Sequence, residues 1–378
     1  MRRATETPRD ARSRGLFSRP TAAVSGILGI LALGTVIWTA GFGVASTPSS
    51  SPSTGSAALR SVKTFRHVEH VSTIAFRPDG RQLAAGADFD RSISIWDVRT
   101  GALVRTLAPE QGGAPALAWS PDGRRLAAAR NFVRLIKGRI AVTIWDAATG
   151  AAIHHLRGPF DADDGSNEVG GLAFHPDGRL LASGHAGGAI VLHDAERGTV
   201  VRVIHGHVMY GKGLAYSRDG RYLASSGPPR QAPIELFDGA SGDHVRSIVA
   251  GIGSQGRLAW SPDARLLASS GYDTPAITIW NVEAAHPIGP SLQGHVGPVM
   301  GLAYSPDGKW LASGSAGDSI KVWAMPAREL AVSVPVSRRA GRVLRFSPDG
   351  RYLASTDGAV VTLWEIRAAV QPSKPKGS

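Results

Sequence analysis

The 378-residue chain has no cysteine. That excludes disulfides, thiolate nucleophiles, cysteine-ligated metals and a lipid attached through a cysteine. It has no Gly-x-Ser-x-Gly elbow, no Gly-x-x-x-x-Gly-Lys-Ser/Thr phosphate loop and no His-Glu-x-x-His zinc helix. The best-marked routes to hydrolysis, phosphoryl transfer and metalloprotease chemistry are therefore closed. From residue 46 onward the 3.6-residue apolar period of helices is missing, which argues against helical repeat arrays. Charge is missing as well from one long stretch: residues 20–59 carry none.

What the chain has in abundance is one short phrase. SPDGKWLASGS, residues 305–315, recurs in seven variants whose turn aspartates are Asp79, Asp122, Asp177, Asp219, Asp263, Asp307 and Asp349. Their spacings are 43, 55, 42, 44, 44 and 42 residues, a period that marks a solenoid, a propeller or an array. Ahead of six turns stands an apolar-small-aromatic triplet such as Leu117-Ala118-Trp119 or Leu302-Ala303-Tyr304; the seventh has Arg345 between Leu344 and Phe346. After each turn comes a run such as RLLASG, and then a third such as ISIWD or IKVWA.

Short runs of β-branched and aromatic residues bounded by Gly, Pro and Asp are strands. Pro presets the first turn position, Asp tolerates the second, and Gly supplies the positive φ that closes the hairpin. Each unit is thus a small antiparallel sheet that cannot cover both its faces alone. Seven such sheets around an axis solve that problem, so the expected fold is an all-β, seven-bladed β-propeller. The last unit has no fourth strand after Trp364-Glu365-Ile366, and residues 59–65 are the candidate that closes the ring and removes an exposed edge.

The units resemble tryptophan–aspartate (WD) repeats over roughly residues 57–366. Trp96-Asp97 and Trp145-Asp146 carry the full pair, His193-Asp194 and Phe237-Asp238 keep the Asp, and Trp280-Asn281, Trp323-Ala324 and Trp364-Glu365 keep the Trp. The family's Gly-His lead-in is present at Gly206-His207 and Gly294-His295, with Arg66-His67 as a variant. The family's hydrogen-bonded tetrad of His, Ser/Thr, Asp and Trp reads as incomplete throughout. Unit one has His67, Asp90 and Trp96 but Ala85 in place of Ser; unit six has His295, Ser313 and Trp323 but Gly317 in place of Asp. The resemblance implies a scaffold for proteins or peptides.

The ends carry the targeting information. Residues 1–20 hold six Arg against Glu6 and Asp10, and residues 367–378 form a basic tail, so only +5 of the net +12 falls on the repeats. A modestly basic propeller is no nucleic-acid surface, and no nucleic-acid partner is expected. Residues 21–45 form a continuous apolar and small stretch behind the Arg cluster, long enough to span a bilayer with the N-terminus inside and the propeller outside. A cleaved signal peptide is the competing reading. Residues 46–58, STPSSSPSTGSAA, read as a flexible Ser/Pro linker with ends about 20 Å apart. The Ala, Gly and Arg bias points to a bacterial chain, hence to a single-pass bacterial cell-membrane protein.

The candidate binding face follows from the 55-residue spacing. One insertion, residues 131–139, falls between the second and third strands of unit two and brings Arg130, Arg134, Lys137 and Arg139. Another, residues 159–170, precedes unit three and brings Asp161, Asp163, Asp164 and Glu168, a set of hard oxygen donors without the EF-hand arrangement. Residues 227–233 with Arg230, and 272–275 with Tyr272, belong to the same side, opposite the PDG turns. Length-variable loops on a rigid scaffold are where binding concentrates; the competing account pairs the basic and acidic insertions with each other. Twelve His are scattered without a ligand pattern, and no catalytic, cofactor or metal residue is assigned. The expected function is a non-enzymatic protein or peptide interaction scaffold outside a bacterial membrane. The alternative is a small-ligand sensor or enzyme using the central channel, which requires ionisable groups converging there.

Overall fold

The computed structural model describes residues 58–367 except 89–91, 109–112, 131–139, 160–167, 209–212, 227–232, 250–254, 272–273, 316 and 338–339. These residues form seven four-stranded antiparallel sheets. Six are simple meanders in chain order: blade 1 (71–107), blade 2 (117–157), blade 3 (169–208), blade 4 (214–248), blade 5 (255–287) and blade 6 (299–335). Blade 7 takes three strands from 340–367 and its fourth from Ala58–Arg66, which pairs antiparallel with Val360–Arg367. The all-β propeller expected from the repeats is the fold.

Local chemistry makes each hairpin. In blade 6 the Ser305 hydroxyl donates to Asp307 Oδ1 at 2.7 Å, the Lys309 amide donates to the same oxygen at 3.1 Å, and the Trp310 amide donates to Ser305 Oγ at 2.9 Å. Gly308 closes the turn at φ 73°. The same serine–aspartate bond recurs at Ser120, Ser217, Ser261 and Ser347. In these five blades the turn thus includes the preceding serine, whose side chain satisfies backbone donors that the hairpin leaves open, while Arg77 and His175 stand in its place in blades 1 and 3. The aspartate of the WD pair builds the next turn along: Asp97 Oδ1 accepts from the Thr100 amide at 2.6 Å and hydroxyl at 2.8 Å, and these two bonds hold its pKa below the ordinary carboxylate value.

The core is divided into seven clusters, each lying between neighbouring blades. Ile93, Ile95 and Leu107 of blade 1 meet Leu117, Trp119 and Leu126 of blade 2. Ile277 and Ile279 of blade 5 meet Leu302, Leu311 and Trp323 of blade 6. Blade 7 closes against blade 1 through Phe65, Val361 and Leu363 with Ile74 and Trp96. Alternation along each strand sends successive side chains to the two flanking blades, so no blade has a core of its own. Each fully buried Leu or Ile at these seams contributes about 1.5–3 kcal/mol.

Among the described residues no helix is long and apolar enough to cross a membrane. The expected spanning segment, residues 21–45, lies outside the described residues.

Candidate functional site

The meander puts two kinds of connection at opposite ends of every blade. The PDG turns and the third-to-outer turns share one end; the second-to-third and blade-to-blade connections share the other. Three places on this frame hold chemistry.

The first is inside blade 6. His295 Nδ1 lies 2.7 Å from Asp318 Oδ2, its Nε2 lies 2.8 Å from Ser313 Oγ, and Trp323 Nε1 donates to the same Oγ at 2.8 Å. This corrects the expectation of an incomplete tetrad: the carboxylate comes from Asp318, one residue after the position counted. Gly317, at φ 77°, turns the chain so that the next residue reaches the imidazole. Trp is a donor only and a carboxylate an acceptor only, so the neutral ring donates from Nδ1 and accepts the Ser313 proton at Nε2. Burial lowers the His295 pKa below its ordinary value despite Asp318, which keeps it neutral. In blade 1 a buried Ala85 occupies the serine position, as the sequence indicates.

Blade 3 replaces this relay. Ser183 Oγ lies 2.9 Å from His185 Nε2 and 3.0 Å from His193 Nε2, with Ser183 and both imidazoles buried. A serine between two histidines resembles a nucleophile with its base. Ser183 is fully buried, however, and burial, with the neighbouring His185, pushes the His193 pKa down to about 3. In blade 4, Glu235 Oε2 accepts from Ser247 at 2.6 Å and lies 2.5 Å from His244 Nε2. The same His244 Nε2 also lies 3.2 Å from Ser247 Oγ, so one ring nitrogen faces both acid and hydroxyl and the ring is not interposed between them as a relaying base must be. These clusters hold strands together. Among the described residues no group of three or more His, Cys, Asp or Glu is placed to hold a metal ion.

The second place is the loop face. Arg130 follows the strand Arg125–Ala129, is buried, and its amide donates to the Ala141 carbonyl at 2.8 Å. Glu168 precedes Val169–Phe174, is half-buried, and its carbonyl accepts from the Ala186 amide at 2.8 Å. Arg134, Lys137, Arg139, Asp161, Asp163, Asp164, Arg230 and Tyr272 lie outside the described residues.

The third place is the turn-side mouth of the central channel, a cavity of about 820 Å³. Each blade contributes the aromatic that precedes its turn: Phe76, Trp119, Phe174, Tyr216, Trp260, Tyr304 and Phe346. Trp119 and Trp260 are pinned by donating from Nε1 to the Ala75 and Ala215 carbonyls of the preceding blades, at 3.1 and 3.0 Å. Three arginines complete the lining, Arg218, Arg257 and Arg345, and none of the lining residues is acidic. Arg257 Nε donates to the Met300 carbonyl at 2.9 Å. Arg218 reaches from blade 4 to donate to the Pro306 carbonyl of blade 6 at 3.1 Å.

Family models match the chain in three stretches. The WD domain, G-beta repeat model matches residues 59–97 and 288–324, and the model of the anaphase-promoting complex subunit 4 WD40 domain matches 143–210. With seven blades closed on the first strand, these matches decide the family of fold. The chain is a seven-bladed β-propeller that carries WD repeats. Its similar curated proteins are eukaryotic. Nuclear distribution protein PAC1 of Arthroderma otae is 25% identical over 173 residues, covering 44% of this chain and 36% of that protein. WD repeat-containing protein SL1-17 of Schistosoma mansoni is 29% identical over 158 residues, covering 41% and 46%. Meiotic recombination protein rec14 of Schizosaccharomyces pombe is 31% identical over 110 residues, covering 29% and 32%. The chain thus spans less than half the length of these relatives.

Reading the sequence for this WD-repeat propeller finds Arg345 as the odd residue of its triplet but misses Arg257 and Arg218. Their signal was present in the repeats: Arg218 stands where six blades have the turn proline, and Arg257 where the others have Thr, Ala, Gly or Val. Aligning the units column by column exposes all three.

Proposed function

We propose that this WD-repeat propeller is a non-enzymatic scaffold that binds a protein or peptide partner, displayed on the outer side of a bacterial membrane through residues 21–45. One observation carries the binding part. Seven blades locked by interblade cores form a rigid frame, and the connections that vary in length gather at the end opposite the SPDG turns. A rigid frame with variable loops loses little conformational entropy on binding. The insertions read from the sequence at 131–139 and 159–170 carry charges of both signs. The membrane part rests on the uncharged 21–45 stretch behind six arginines.

The test is in-cell crosslinking with mass spectrometry on the membrane fraction, comparing wild type with a variant whose residues 131–139 are charge-neutral. Loss of crosslinked partners at an unchanged melting temperature is the expected result. An unchanged partner set refutes the loop-face reading. Recovery of the chain only in the soluble fraction, lacking residues 1–45, refutes the anchor.

A further inference from the structure

Arg345 is a departure from a sevenfold pattern. In register against the second strand, blades 1 to 6 place Ala75, Ala118, Ala173, Ala215, Ala259 and Ala303 opposite an alanine; blade 7 places Arg345 opposite Ala354. Its side chain lines the channel mouth. It is exposed to solvent there. Its Nη1 donates to its own strand's Leu344 carbonyl at 2.9 Å, and no carboxylate pairs with it among the described residues. Arg257 enters the same cavity from blade 5, and Arg218 sits at the rim.

Desolvation, with repulsion from Arg257, draws the Arg345 pKa down to about 10, so both groups are cationic at neutral pH and each raises the energy of the other. The other titratable groups of the lining, Tyr216 and Tyr304, are neutral there, and burial raises both pKa values. The charged side chains of the lining itself are therefore all arginines, set among aromatic walls, with the turn aspartates Asp177 and Asp263 behind Tyr216 and Tyr304. Guanidinium forks match carboxylate and phosphate oxygens in pairs, and a cavity of about 820 Å³ is of small-molecule size.

We propose that the turn-side channel mouth binds a small organic oxyanion, a carboxylate or phosphate on a planar or apolar body, between Arg345 and Arg257 with Arg218 guarding the rim. The walls formed by Trp119, Trp260 and Phe346 take the planar part. This site lies at the opposite end from the loop face and stands whether or not that face binds a partner.

Phthalate and phenyl phosphate are the probes, with neutral benzamide as control, titrated into the full chain by calorimetry and by tryptophan fluorescence, to which Trp119 and Trp260 contribute from the cavity wall. Saturable binding of one or both anions, absent with benzamide, is expected. Comparing the two probes separates a carboxylate from a phosphate preference. Arg345→Ala restores the residue six blades carry, so it folds and melts as wild type or higher, and it weakens binding by about tenfold or more, the loss of a charged hydrogen bond. Arg345→Gln, which keeps the length, weakens it similarly. No saturable binding of either anion, equal binding of benzamide, or unchanged affinity in both variants overturns the proposal.

Discussion

His295 is joined to Asp318 across 2.7 Å, although a glycine stands where counting from Trp323 puts the acid. The His295 ring is fully buried, so removing the carboxylate strands a ring N–H without an acceptor. Asp318→Ala is expected to destabilise the propeller by about 1–3 kcal/mol, the cost of an unsatisfied buried donor. Thermal and urea melts of the variant check this, and a melt equal to wild type refutes the relay.

The SPDG turn gives a prediction of opposite sign at two equivalent positions. Gly308 adopts φ 73°, whereas blade 5 places Ala264 at φ 58°. A left-handed alanine costs about 1–2 kcal/mol, partly offset by the greater unfolded-state freedom of glycine. Ala264→Gly is therefore expected to raise stability by about 0.5–1 kcal/mol. Gly308→Ala lowers it by a like amount, because a Cβ there meets Pro262 at an ordinary 3.5 Å and only the backbone objects. Differential melts of the two variants decide it.

Phe65 ties Ala58–Arg66 to the seam between blades 7 and 1. Phe65→Ala is expected to cost about 3–5 kcal/mol. Deleting residues 58–66 bares the Val360–Arg367 edge and is expected to produce aggregates, seen by size-exclusion chromatography. A monodisperse, wild-type-like deletion contradicts ring closure by this strand.

Two histidines set a pH dependence. Burial first, then His185, lowers the His193 pKa to about 3, and burial lowers that of His295 against the opposing pull of Asp318. The unfolded chain binds these protons near pH 6.5 and the folded chain does not, so stability is complete above that pH and declines as pH falls below it. Each histidine contributes at most about 1.4 kcal/mol per pH unit. Melts between pH 7.5 and 5.0 are expected to show the decline, and His193→Phe a shallower one. An identical slope in that variant removes His193 as a cause.

The architecture was legible because its determinants are local and repeated. Ser, Pro, Asp and Gly shape a hairpin within a few residues, and seven copies average out the departures at Arg77, His175, Arg218 and Ala264. The tetrad of blade 6 was misread because a one-residue change in a connecting turn moves a carboxylate without altering the strand pattern on either side. The channel arginines were harder still. Arg257 and Arg345 are strangers in sequence, and only the ring brings them to one cavity.

The sequence by itself therefore determines strand content, blade number and the turn chemistry, since hydrogen bonds within a hairpin and apolar alternation are short-range properties of the chain. The tertiary structure alone decided that Asp318 completes the relay with His295, that Ser183 is fully buried, and that three arginines line one mouth. Those outcomes depend on which side chains a closed ring forces together and on how much water it leaves around them, and neither quantity is carried by residues adjacent in the chain.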